Sequence, residues 1–239
     1  MSAPGPSLAG RDGRWIEMWL GRDRLASYLA AAGGDRSRAL ALYEWNADVA
    51  SEALRRDLCH LEVGLRNAYD TALRAHWSGP TDWTSDPAAV FPPAWGTRGG
   101  KRKSPNPRAR IDLNKQPREL LTQARNKAGG ATAPTGKVVA ELTLGFWRYL
   151  SQSRHEKPLW LPYLHHAFPP GTDRARDVDD RIARLHTVRN RVGHHEPVHT
   201  VNLAGRLKDI TDLANLIDPN LGAYITATTK IPQALSSRP

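Results

Sequence analysis

Apolar residues recur with a helical period along most of the chain. Leu58, Leu61, Leu65, Ala68 and Ala72 form one stripe, and no proline interrupts the run from Asp35 to about Trp77. Such spacing predicts one long helix or two stacked ones, with Asp35 as N-cap after a pause at Gly33-Gly34. A second helix is predicted from about Ile111 to Lys127, ended by Gly129-Gly130. A third begins near Thr135 and carries Val138, Val139, Leu142, Leu144, Phe146 and Trp147. Leu159 to Phe168 reads as a short helix closed by Pro169-Pro170; its His165-His166 pair lacks the further ligands of a metal site and is read as structural. A helix starts at Asp173, and the last runs from Asn202 to Ile217. No strand pairing and no internal repeat is predicted. The fold class is all-α, a helical bundle over 21–218, with a disordered or weakly ordered N-terminus at 1–20 and a fraying tail at 219–239.

The pattern changes between 78 and 117. Pro80, Pro87, Pro92-Pro93 and Gly99-Gly100 break any period and predict a long irregular loop inserted in the bundle. That loop holds Arg98, Lys101, Arg102, Lys103, Arg108 and Arg110, with Asp112 the nearest acid. With Trp83 and Trp95 beside it, the run predicts an RNA-binding flap: Lys101, Arg102, Lys103, Arg108 and Arg110 for phosphate, and indole for stacking. A solvated charged surface is the competing reading.

The stretch Arg181 to His199, RIARLHTVRNRVGHHEPVH, concentrates the unusual chemistry. Val178, Ile182, Leu185 and Val192 define its apolar stripe, and Arg189 falls on that stripe. A guanidinium on a core-facing position costs several kcal/mol unless paired. Glu62, bordered by Arg66 and Asn67 on the earlier helix, is one candidate counter-charge; an exposed Glu62–Arg66 pair is the other reading. Gly193 is expected to end the helix, delivering His194 and His195 to its terminus. His195-Glu196-Pro197-Val198-His199 matches a zinc-peptidase string, but that motif needs a continuous helix and Pro197 disfavours one at Glu196.

Arg189 and His194 offer a different chemistry. On an unbroken helix a five-residue step is about 500°, which leaves the two side chains about 140° apart; a helix ending at Gly193 lets His194 fold back. An imidazole can move a proton to or from a ribose oxygen near neutral pH. A guanidinium can hold a non-bridging phosphate oxygen through a charged transition state. Such a pair suits RNA cleavage without a metal or cofactor. The alternative is an arginine paired with a buried acid and a histidine that caps the helix.

Composition narrows the partners. Net charge is +10 with a pI near 10.1, which favours a polyanion. A single cysteine, Cys59, excludes an intramolecular disulfide and fits a cytoplasmic protein; its neighbours Leu58 and Leu61 predict a buried thiol. No apolar run is long enough to cross a membrane, and the first residues lack a signal-peptide pattern.

The string from Arg189 to His194, with Asn190 after the arginine, resembles the R-x4-6-H motif of the HEPN ribonuclease superfamily. RNRVGHHEP, together with LEVGLRNAYDTAL from Leu61 and GKVVAELTLGFWRYL from Gly136, is similar to its Abi-like (abortive-infection) branch. The resemblance covers most of the chain from about Leu25 to Ile217. It implies an all-helical HEPN-like bundle and a homodimer with a composite active site. It also implies metal-independent RNA cleavage in phage defence or a toxin–antitoxin system, with an antitoxin as a possible partner. Arg189, Asn190 and His194 would be catalytic, as phosphate clamp, orienting group and general acid/base. Glu62, Arg66, Asn67 and His195 would support them. Two other readings are a non-catalytic RNA-binding or regulatory helical module, and a nucleotidyl-modifying enzyme, for which the chain offers no glycine-rich phosphate loop.

Overall fold

The structure, a computed structural model, describes residues 14–97 and 110–239. In chain order its elements are α1 (Arg14–Leu20), α2 (Arg22–Ala31), α3 (Arg36–Glu44), α4 (Ser51–His76), α5 (Pro87–Val90), β1 (Trp95–Thr97), β2 (Arg110–Asp112), α6 (Lys115–Ala128), α7 (Thr135–Ala140), α8 (Leu144–Ser151), α9 (Asp180–Gly193), α10 (Leu203–Ile217), α11 (Pro219–Thr228) and α12 (Ile231–Ser236). The fold is all-α apart from the small antiparallel ribbon of β1 and β2. Wider π-type turns join α3 to α4 over Trp45–Ala50 and lead into α9 over Arg174–Asp179. Asp35 caps α3 by accepting from the Arg38 amide at 3.0 Å. Asp173 does the same for the helical entry to α9, from the Arg176 amide at 2.8 Å.

Two compact units form within the chain. The first comprises Met1–Arg56, Val188–Ala204 and Thr229–Pro239. Its described core includes Ile16, Leu20, Leu25 and Leu40, edged by Trp15, Leu29 and Tyr43. Ile16 and Leu20 stand one turn apart and carry α1 onto this core. The tail is also ordered beyond 219. Ile231 and Ala234 are buried, and the Trp45 indole N–H donates to the Ala234 carbonyl at 2.7 Å.

The second unit comprises Asp57–Thr187 and Gly205–Thr228. Leu58, Leu61, Leu65, Tyr69 and Ala72 of α4 are buried, with Phe146 and Trp147 of α8 and with Trp83 and Phe91. Each buried leucine contributes about 1.5–3 kcal/mol by leaving water. Trp83 packs 6.3 Å from Trp147, and its N–H donates to Asp70 at 2.9 Å; it is a core residue, unavailable for stacking on RNA. Cys59 is exposed, not buried as its neighbours Leu58 and Leu61 predict.

The ribbon corrects the expected structureless loop and the early start of α6. Trp95 pairs with Asp112, Gly96 with Ile111 and Thr97 with Arg110. A Cβ on Gly96 would stand 2.7 Å from a Leu113 methyl, so any larger residue there would push the leucine side chain aside. Asp112 Oδ1 accepts from the amides of Ala94 at 3.0 Å and Asn114 at 2.9 Å, while Oδ2 takes an Arg118 guanidinium N–H. Behind it lies a buried hub. His155 Nδ1 sits 2.5 Å from the Tyr149 carbonyl oxygen, its Nε2 3.0 Å from Asn114 Oδ1, and Asn114 Nδ2 donates to the Pro92 carbonyl at 2.9 Å.

Candidate functional site

The end of α9 is shaped by its backbone. The Glu196 amide donates to the Arg191 carbonyl at 2.8 Å, and the His195 amide to that of Val192 at 3.2 Å. These two bonds make a Schellman closure, in which the residue after the cap adopts a left-handed conformation. That residue is His195, with φ 54°, the one non-glycine residue at positive φ among those described. Gly193 is the last residue of α9, where the sequence predicts the helix to end, while the left-handed closing residue is His195 rather than the glycine. The absent side chain at Gly193 has another consequence. A Cβ there would lie 3.6 Å from Arg189 Nη1, so the guanidinium rests over the bare backbone of the residue preceding His194.

Burial also repositions Arg189. The buried residues of this stretch are Val178, Ile182, Leu185, Val188 and Val192, so the stripe passes through Val188. Arg189 is half-buried at its rim, where a charge is far cheaper to hold than in a core. The arginines of α9 then divide by partner. Arg181 donates to Asp177 at 3.2 Å and to Asp212 at 3.1 Å. Arg184 grips Asp209 with two bonds of 2.9 and 2.6 Å. Arg191 donates to the Pro197 carbonyl at 3.1 Å and to Thr200 Oγ1 at 3.2 Å. Among the described residues the Arg189 side chain makes no hydrogen bond or ion pair. Glu62 does not supply its counter-charge: Oε1 accepts from the Leu144 amide at 2.7 Å, closing the first turn of α8. Nor does Glu62 pair with Arg66, which is half-buried, while Asn67 is exposed.

His194 and His195 are exposed, and the His194 amide donates to the Asn190 carbonyl at 2.9 Å. The loop beyond them is pinned. Arg191 holds its carbonyl side, and Asn46 Oδ1 accepts from the buried Val198 amide at 2.5 Å. His199 is buried, its ring 4.8 Å from that of Tyr28. Burial first, then the charges of Arg238 and Arg191, hold His199 below the usual histidine range. Burial also pushes the Tyr28 hydroxyl up to about 12. The histidines of the HExxH string therefore differ in role and sit on no common helix. Among the described residues no group of three or more His, Cys, Asp or Glu is arranged to hold a metal ion.

Lys101, Arg102, Lys103 and Arg108 lie outside the described residues. Arg110 is exposed on β2. His165 and His166 are exposed as well, with the His166 ring stacked 3.7 Å from that of His76. Arg191 and Asn46 position the histidine loop, and the sequence pattern points to neither. Arg191 reads there as one more base in a charged helix, and Asn46 is far away along the chain.

No protein-family model, no curated protein and no solved structure matches the chain. Among the described residues no helix is long and apolar enough to cross a membrane.

Proposed function

We propose that the end of α9 cleaves RNA, with Arg189 as phosphate clamp and His194 as the proton-transfer group. The observation that carries this reading is the contrast among the α9 arginines. Arg181, Arg184 and Arg191 have protein partners; Arg189 has none among the described residues and lies against Gly193, next to an exposed His194. A half-exposed, uncommitted guanidinium beside an imidazole suits a phosphodiester. The ribose 2′-oxygen attacks phosphorus as an imidazole takes its proton; the P–O5′ bond breaks, and the leaving 5′-oxygen receives a proton from a second acid. The products are a 2′,3′-cyclic phosphate and a 5′-hydroxyl.

In-line geometry places that second acid opposite the base. His195 is one source. A second copy of the chain is another, since a two-fold contact brings the same helix end to one cleft. The homodimer with a shared site, the antitoxin and the defence role belong to this proposal and follow the Abi-like resemblance.

The purified protein, with excess chelator and single-stranded RNA, should leave cyclic-phosphate ends and spare DNA. His194→Ala should lower the rate at least about a hundredfold, the low end of what an acid–base group supplies. Activity lost to EDTA and restored by Mg²⁺ or Zn²⁺, or equal cutting of DNA, would sink the mechanism.

A further inference from the structure

The ribbon and α6 enclose a cleft of about 870 Å³ that owes nothing to Arg189 or His194. It falls in the size range of small-molecule and nucleotide sites. Lys115, Gln116, Glu119 and Gln123 line it from successive turns of α6, and Tyr149 and Arg154 come from α8 and the turn beyond. We propose that this cleft takes an unpaired base of single-stranded RNA, with flanking phosphates held at its rim. The inference deepens the cleavage reading by naming the strandedness of the substrate, and it stands or falls by binding alone.

The chemistry of the walls argues for a base and its phosphates. Two glutamine amides each donate and accept, as the edge of a nucleobase requires. Asp112, the acid on the ribbon wall, is neutralised from within: the Arg118 guanidinium beside it holds its carboxyl below the usual range. Lys115 reaches Glu119 only at 3.7 Å, with both side chains mostly in solvent, and such a pair gives way readily to a phosphate. Arg154 uses one N–H on the Leu113 carbonyl at 2.7 Å and retains others. Arg110 adds an exposed cation on β2.

Trp95 supplies the stacking surface. It is 60% exposed and pairs across the ribbon with Asp112, which lines the cleft. An open indole beside a polar cleft offers a π-face to a base that a duplex would hide.

The test uses the full chain carrying His194→Ala, so that bound RNA survives. A short fluorescein-labelled RNA is titrated as a single strand and as its duplex, with polyglutamate as a competing polyanion. The single strand should bind tightest and resist polyglutamate. Trp95→Ala should weaken it about tenfold with an unchanged salt slope. Lys115→Glu should weaken it and flatten the log–log salt slope by about one or more. Both positions are exposed, and an unchanged Tm confirms that each variant folds. Equal binding of the duplex, displacement by polyglutamate, or wild-type affinity in both variants overturns the proposal. Cleavage that persists with both variants unaffected refutes this cleft and leaves the helix-end reading standing; binding here by a chain that never cuts RNA does the reverse.

Discussion

His155 should make the second unit acid-sensitive by a calculable amount. Its side chain is 1% exposed, and burial first, helped by the Arg154 charge, pushes it down to about 4 against an opposing bond to the Tyr149 carbonyl. In the unfolded chain the imidazole titrates near the ordinary histidine value of 6.5. A histidine depressed in the folded state contributes stability that is present above 6.5 and is lost as pH falls toward 4. At pH 5 the binding polynomial for those two values gives a loss of about 2 kcal/mol, rising to about 3 kcal/mol well below pH 4. His166 and His199 are also lowered and act in the same sense, so the group must be isolated. Urea unfolding of wild type and His155→Gln between pH 7.5 and 5 does this, because the glutamine does not titrate. Whatever His155→Gln costs at neutral pH, the gap should narrow by about 2 kcal/mol at pH 5. The geometry contains an opposing pull, since both ring nitrogens face acceptors, Tyr149 O and Asn114 Oδ1. A gap that widens on acidification would show that the two acceptors outweigh burial, and the argument would be refuted.

Two further outcomes bear on the histidine loop. Asn46→Ala removes the acceptor of the buried Val198 amide and should cost about 1–3 kcal/mol in a denaturant titration; a cost under a few tenths would mean the amide finds another partner. His195→Val places a β-branched residue at φ 54° and should destabilise by about 1–2 kcal/mol, whereas His195→Gly should not, and equal effects would dismiss the left-handed closure as a source of strain.

The long helices were legible because their burial follows their period. The Leu58–Leu61–Leu65 run and the Asp35 cap appear in the structure as the pattern predicts. The ribbon was not legible. Its strands are three residues long and lie among prolines and glycines. What orders them is Asp112 bonding two backbone amides and a histidine hub reached from 41 residues away, and neither leaves a periodic trace. The tail was missed for a similar reason. α12 has six residues, too few for a period, and its place is fixed by Trp45 bonding across 189 positions of sequence.

At the end of α9 the sequence pattern and the observed burial part by one residue. The sequence stripe places Arg189 in the core, where burial demands a carboxylate. The stripe in fact passes through Val188, whose spacing of three from Leu185 and four to Val192 is equally helical, so Arg189 needs no internal partner. Glu62 accordingly serves a backbone amide of α8. Gly193 ends α9 as predicted, with the left-handed closure falling on His195, and the Arg189 guanidinium lies at van der Waals distance from where a Gly193 Cβ would stand. Both revisions leave Arg189 more available to an external phosphate than a buried pair would be, because a buried carboxylate would have to be displaced before any substrate could bind. The case for the site therefore rests on an uncommitted cation at a helix rim, held beside a loop that Arg191 and Asn46 keep in place.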